Sequence, residues 1–160
     1  MLLKFFVNSS ATAYLRGLAE EFDESTNAIR HELNNLSKAG YLISEGNGRT
    51  IEYRANTAHP LYASLKNLMH KYLGIDTIVE NIVYKLGDLQ AAYIIGDYAK
   101  GKDSGTIEVL LVGDIDEEYL NKLVVKAQTL IQRNIKVSHI QKHAFHPNQF
   151  TECLLVWTAD

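Results

Sequence analysis

Residues 25–54 read STNAIRHELNNLSKAGYLISEGNGRTIEYR and predict a helix followed directly by a β-hairpin. Ser25 is a residue type that caps a helix N-terminus by accepting a backbone N–H. Apolar residues then recur at helical spacing and predict one buried stripe: Ile29, Leu33 and Leu36. The helix is expected over residues 26–39, because Gly40 is a typical C-terminal stop.

The hairpin is predicted from two strand-like runs, at residues 41–44 and 50–54. The connection between them, residues 45–49, contains Asn-Gly, which is a strong turn signal. Before the long helix, apolar residues of the segment 14–22 also recur at helical spacing, and residues 1–7 are expected to form a short helix. Helix, helix and hairpin follow in the order of a winged helix-turn-helix.

The rest of the chain predicts a second domain in which helices alternate with strands. Pro60 is expected to open a helix that Gly74 ends, with these residues on its apolar side: Leu61, Leu65, Leu68, Met69 and Tyr72. The later elements are expected at residues 77–86 (helix), 91–95 and 107–112 (strands), 117–132 (helix), 135–140 and 154–157 (strands). We therefore expect two domains, residues 1–74 and 75–160.

Composition places the chain among ordinary globular proteins, since 46% of its 160 residues are apolar and 22% are charged. A single cysteine, Cys153, excludes an internal disulfide framework and multi-cysteine zinc motifs, and its apolar surroundings favour a buried position. No apolar run reaches the roughly eighteen residues of a membrane span. We expect a soluble cytoplasmic protein with no membrane partner.

The net charge of −3 argues against a protein coated in basic residues. Residues 1–73 hold eight Lys and Arg against seven Asp and Glu, whereas residues 74–160 hold eight against twelve. A nucleic-acid surface is therefore expected in the first half, as a local face rather than a broad field.

In a helix-turn-helix, the second helix enters the major groove of DNA. The predicted helix 26–39 begins after Ser25 and turns polar donors outward, and we assign these to DNA: Ser25, Thr26, Asn27, Arg30, His31, Asn34 and Lys38. Arg49 at the hairpin tip and Arg54 on the returning strand are expected to reach the DNA backbone or minor groove. The other interpretation of these residues is that they form an ordinary solvated helix face.

Residues 12–70 resemble winged-helix transcriptional regulators of the arsenical-resistance-repressor type. The resemblance rests on L-x-x-L in the first helix, N-x-L-x-x-A-G-Y-L at the end of the recognition helix, and R-x-I-E-Y-R-A-N in the wing. It implies a regulator that binds double-stranded DNA. Metal-sensing members use cysteine clusters, which this segment lacks, and its histidines have no ligand-like spacing: His31, His59 and His70.

Residues 94–112, IIGDYAKGKDSGTIEVLLV, resemble the signature of the polymerase-beta-like nucleotidyltransferase superfamily. In that superfamily one strand ends in Gly-Ser-x-Ala-x-Gly and the next carries Asp-x-Asp, whose two carboxylates hold Mg²⁺ beside a nucleotide. The resemblance implies a small α/β domain with a mixed sheet. The whole chain is thus expected to be an α+β protein with a winged helix-turn-helix followed by a nucleotidyltransferase-like domain.

This sequence departs from the nucleotidyltransferase pattern at the positions that carry the chemistry. Asp97 stands at the serine position, while Thr106 and Glu108 stand at the two aspartate positions, and the strand 135–140 contains no acid. The positions carried over are Gly96, Asp97, Lys100, Gly101, Thr106 and Glu108. We therefore expect a degenerate domain that is not an enzyme and needs no cofactor or metal. The spacing of His139, His143 and His146 does not favour a metal site either.

The favoured hypothesis is a DNA-binding transcriptional regulator that forms a homodimer through the helix 60–73. Its second domain would serve dimerisation, sensing of an unidentified small-molecule or protein effector, or partner binding. One alternative is an active metal-dependent nucleotidyltransferase with a winged-helix docking domain, in which Glu108 acts with Asp97 or Asp103 as metal ligands. Another is that both domains are protein-interaction modules.

Overall fold

The computed structural model describes residues 1–150 and 152–159. The chain divides into two compact units, Met1–Asn67 (unit 1) and Leu68–Asp160 (unit 2). The division falls within a helix, Tyr62–Leu73, whereas the boundary expected from the sequence lies just after that helix ends.

Unit 1 combines short helices with a three-stranded antiparallel sheet. Its elements are α1 (Leu2–Phe6), β1 (Thr12–Tyr14), α2 (Leu15–Phe22), α3 (Thr26–Lys38), β2 (Leu42–Asn47) and β3 (Thr50–Ala55). The strands lie in the order β1-β3-β2. The predicted helices and hairpin are confirmed, but β1 was missed, because three residues are too short to show a strand period.

Helix α3 begins and packs as its sequence predicts. The Ser25 hydroxyl accepts a hydrogen bond from the Ala28 backbone N–H at 3.1 Å and so caps the helix. Ile29 and Leu33 are buried and Leu36 is half-buried, so the predicted stripe faces the core. The opposite side of α3 is consequently presented to solvent.

The β2–β3 hairpin is longer and tighter than expected. Asn47 pairs with Thr50, which leaves only Gly48 and Arg49 in the turn. Gly48 has a φ of +63°, a conformation that favours glycine in two-residue turns. The expected connection 45–49 is therefore mostly strand, and Arg49 occupies the tip.

Helix α4 (Tyr62–Leu73) is present, and its predicted apolar side is buried only in part. Met69 and Leu73 are buried, whereas Leu61, Leu68 and Tyr72 are 49%, 56% and 60% exposed. Of the predicted stripe, Met69 is thus buried and Leu65 is half-buried, whereas the other three residues face solvent.

Unit 2 contains a four-stranded mixed sheet with helices packed on it. Its elements are α5 (Ile75–Asn81), a 3₁₀ turn (Val83–Lys85), β4 (Leu89–Ile95), β5 (Thr106–Gly113), α6 (Glu117–Ile131), β6 (Asn134–Ile140) and β7 (Cys153–Thr158). The strand order is β6-β5-β4-β7, and only the β5–β6 pair is parallel. The predicted α+β class with a mixed sheet is confirmed.

Two short 3₁₀ turns, Lys142–Ala144 and Pro147–Gln149, follow β6. His139 lies in β6 and His143 in the first of these turns, so no helix brings the two together. Cys153 is half-buried on the edge strand β7, which corrects the fully buried position expected from its neighbours. None of the helices in the described part of the chain meets the length and hydropathy of a bilayer-crossing segment.

Candidate functional site

A groove of about 710 Å³ lies in unit 1 between α3, the β2–β3 hairpin and the start of α2. Its lining combines basic, amide, hydroxyl and apolar side chains: Tyr14, Leu15, Arg16, Arg30, Asn34, Arg49, Thr50, Ile51 and Tyr53. All three charged side chains in this lining are arginines. The lining therefore places arginine side chains, which suit carboxylate and phosphate groups, beside an apolar surface.

The three arginines come from three different elements: Arg16 from the first turn of α2, Arg30 from α3, and Arg49 from the hairpin tip. Within residues 1–150 and 152–159, none of these guanidinium groups forms an ion pair. Arg30 donates a hydrogen bond from Nη1 to Asn27 Oδ1 at 2.9 Å, which steadies it along α3. All three arginine side chains are exposed to solvent.

The packing of the unit holds these side chains in place. Arg30 and Asn34 lie four residues apart on one edge of α3, so they project side by side. The Tyr14 hydroxyl donates to Glu52 Oε1 at 2.8 Å and accepts from Asn47 Nδ2 at 3.3 Å. These bonds tie both strands of the hairpin to the residue that precedes α2, and so fix the width of the groove.

The structure brings together three of the residues that the sequence assigned to DNA: Arg30, Asn34 and Arg49. Four others lie exposed on α3 outside the groove lining: Thr26, Asn27, His31 and Lys38. The Ser25 hydroxyl is engaged in capping α3. Sequence reasoning missed Arg16, although a long basic side chain between the apolar Leu15 and Leu18 was a usable signal.

Arg54 is not part of the groove. Side chains alternate between the two faces of a strand, and the groove is lined by Ile51 and Tyr53, so Arg54 projects from the other face of β3. There it pairs with Glu45 on β2, with 2.7 Å between Nη2 and Oε1. Its predicted role in reaching DNA is therefore not supported by its position.

In unit 2, the turn between β4 and β5 holds the residues compared with the nucleotidyltransferase signature. Gly96 has a φ of +68°, and a Cβ there would come within 2.6 Å of Glu108 Oε1, so the Glu108 carboxylate lies directly over the glycine. The Asp97 carbonyl accepts the Lys100 N–H at 3.0 Å. Across the β5–β6 pair, the residue opposite Glu108 is Lys136.

A polar network that the sequence did not predict closes this turn. Arg133 donates to both carboxylate oxygens of Asp103, at 2.9 and 3.3 Å, and to the Tyr72 carbonyl at 3.2 Å. The buried Tyr98 hydroxyl donates to Asp103 in a short hydrogen bond and accepts the Gly105 N–H at 3.1 Å. The Arg133 guanidinium also lies over the Tyr72 ring, 5.3 Å from its centroid.

The network shifts the ionisation of its members. Hydrogen bonding from Arg133 lowers the pKa of Asp103, and the hydrogen bond to Asp103 raises the pKa of Arg133. Burial raises the pKa of Tyr98, and its hydrogen bond to Asp103 adds to that effect. Asp103 is therefore held as a carboxylate that is already fully engaged.

The residues at this end of the sheet do not fit the pair of divalent cations that the resemblance implies. Asp103 is engaged by Arg133, Thr106 offers a neutral hydroxyl, and Glu108 faces Lys136 across the strand pair. In the part of the chain that the structure describes, no three His, Cys, Asp or Glu side chains are grouped to hold a metal ion.

No protein-family model matches the chain, and no curated protein matches it. Three solved structures are similar. A mutant MntA–HpeT toxin–antitoxin complex is 15% identical with a TM-score of 0.43, and the match covers 53% of this chain and 72% of that one. A Shewanella oneidensis tri-AMPylated HEPN toxin with MNT antitoxin is 15% identical with a TM-score of 0.39, and the match covers 54% of this chain and 71% of that one. A Sulfolobus solfataricus protein provisionally classed as a nucleotidyltransferase is 17% identical with a TM-score of 0.38, and the match covers 64% of this chain and 93% of that one.

These comparisons correct one expectation. The sequence led us to conclude that the chain is not an enzyme and that its second domain is degenerate. One of the similar structures is described as a nucleotidyltransferase, and no contact in the described residues demonstrates that an activity has been lost. The classification as a pseudoenzyme is therefore withdrawn.

The Asp103–Arg133 pair predicts a specific acid sensitivity of unit 2. Because the pKa of Asp103 is lowered on folding, its contribution is complete above its ordinary value, about 3.9, and is lost as the pH falls through the lowered value. Asp103→Asn should cost about 1–2 kcal/mol at neutral pH, and less in strong acid. Urea unfolding followed by fluorescence of Trp157, the only tryptophan, measures both values.

The exposed Asp114→Asn is the matched control and should change little at either pH. If Asp103→Asn were as stable as the wild type at neutral pH, or if its cost did not shrink in acid, the assigned role of the pair would be wrong.

Proposed function

We propose that the protein is a transcriptional regulator that binds double-stranded DNA, and that unit 1 is a winged helix-turn-helix. The single observation that carries this proposal is the groove with Arg16, Arg30 and Arg49 from three elements and no carboxylate in its lining. Arginine forks match phosphate geometry, and most contacts between proteins and DNA are made to phosphates and sugars.

The proposed docking follows from the exposed side of α3. Its buried edge, with Ile29 and Leu33, faces the core, so the opposite edge can enter a major groove. Asn34 would then read a base edge, Arg30 a guanine or a phosphate, and the hairpin tip with Arg49 would contact the neighbouring backbone. Unit 2 would be a nucleotidyltransferase-like domain that serves dimerisation, effector sensing or binding of a protein partner.

Two arginine substitutions in the groove should affect DNA affinity in different ways. Arg30→Ala should weaken binding to a preferred duplex by about 1–3 kcal/mol, because it removes a base or phosphate contact. Arg49→Ala should weaken binding to all duplexes alike and reduce the salt slope by about one. Fluorescence anisotropy with duplexes selected from genomic fragments, over a salt series, measures both effects.

Arg54→Ala is the matched control, since it removes the same side chain from the same unit at a position outside the groove. It should leave DNA affinity within about two-fold, because its guanidinium pairs with Glu45 and does not line the groove. Equal losses in Arg49→Ala and Arg54→Ala would contradict the proposed interface, as would a wild-type protein without affinity for any duplex at low salt.

We also propose that the protein binds DNA as a homodimer, because a unit of nearly neutral charge makes few phosphate contacts by itself. Leu61, directly before α4, and Leu65, Leu68 and Tyr72 within it recur at spacings of four, three and four residues, which is the spacing of a helix–helix seam. Three of them are about half exposed or more, at 49%, 56% and 60%. Self-association along α4 would cover this apolar surface.

Light scattering at micromolar concentration should therefore report a dimer, and Leu68→Glu should shift it to a monomer by placing a charge in the seam. Leu130→Glu is the matched control, because Leu130 is 57% exposed on another helix. A monomeric wild type, or dissociation by both variants, would exclude α4 as the interface.

A further inference from the structure

The groove of unit 1 has a chemical character that a DNA backbone uses only in part. Its arginines suit phosphate oxygens, but Leu15, Ile51 and the ring of Tyr53 add an apolar surface beside them. Duplex DNA keeps its bases stacked and offers phosphates, sugars and base edges to a protein. A ligand that used the whole groove would carry several phosphates and one exposed aromatic ring.

The size of the groove agrees with such a ligand. A volume of about 710 Å³ lies within the range of roughly 300–1,000 Å³ that small-molecule and cofactor sites occupy. Arg16, Arg30 and Arg49 come from α2, α3 and the hairpin tip, and all three line this one groove. A cleft lined by charges of one sign attracts an anionic ligand.

The groove also offers a polar group that can read a base. Asn34 lies one helical turn from Arg30, and its amide supplies both N–H donors and a carbonyl acceptor. This is the pair of functions that an adenine edge requires. The apolar part, with Ile51 half exposed, gives the flat faces of a base a surface to cover.

We propose that the groove of unit 1 is a binding site for a free nucleoside triphosphate, whose phosphates contact Arg16, Arg30 and Arg49 and whose base covers the Leu15 and Ile51 side chains. The nucleotide and the DNA would then contact the same three guanidinium groups, so binding of one would exclude binding of the other. The exclusion rests on the proposed DNA-binding function, whereas nucleotide binding itself does not.

Calorimetric titration with ATP in the presence of a chelator tests the site without DNA. Arg16→Ala and Arg49→Ala should each lower ATP affinity about ten-fold or more, because each removes a charge-assisted hydrogen bond. Arg54→Ala should not. Ile51→Ala should weaken ATP but leave inorganic triphosphate unchanged, which separates the base contact from the phosphate contacts. Thermal unfolding of each variant checks that the fold is retained.

The proposal would be overturned if the wild type did not bind ATP at millimolar concentration, or if Arg54→Ala lost as much ATP affinity as the groove variants. It would also be overturned if Lys100→Ala lost ATP affinity while the groove variants kept it, since that result would place the nucleotide in unit 2. A DNA titration without nucleotide tests the proposed function separately. If DNA binds and ATP does not, only the present inference fails. If ATP binds and neither duplex nor single strand does, the groove is a nucleotide site and the regulator proposal fails.

Discussion

The packing of one edge of α3 against the core is the constraint on which the surface of unit 1 depends. Burial of Ile29 and Leu33 fixes the rotation of the helix, and that rotation sets Arg30 and Asn34 beside the hairpin. A helix turned by a single residue, about 100°, would carry both away from the groove. The apolar stripe thus determines the polar surface, although it takes no part in binding.

The groove keeps like charges together without a neutralising carboxylate. Two unit charges several ångströms apart in water repel by less than about 1 kcal/mol, so the folded unit can sustain this arrangement. Glu45 pairs with Arg54 on the other strand face, whereas the Glu52 carboxylate accepts from the hydroxyl of Tyr14, a residue of the groove lining, at 2.8 Å. The hairpin therefore carries Arg49 at its tip, and an ion pair and a hydrogen-bonded carboxylate on the strand face opposite Ile51.

The order of helices and strands could be predicted from periodicity, capping and turn residues, because Ser25, Gly40 and the Asn-Gly pair act locally. Arg54 was misplaced because the turn is only two residues long, and the alternation of β3 then sends it away from Ile51 and Tyr53. Contacts between residues that are distant in the sequence leave no local sequence signal of this kind. Arg133 and Asp103 lie thirty residues apart in sequence, and only the packing of unit 2 shows that they pair.

The central claim is that the groove of unit 1 binds DNA through its three arginines, and the side-chain NMR signals of the arginines test it most directly. On titration of the intact protein with a short duplex, the Nε–H resonances of Arg16, Arg30 and Arg49 should shift in step with binding, while those of Arg54 and Arg133, which pair with carboxylates, should stay in place. Shifts confined to Arg54 or to residues of unit 2, or no shift at saturating duplex and low salt, would contradict the account.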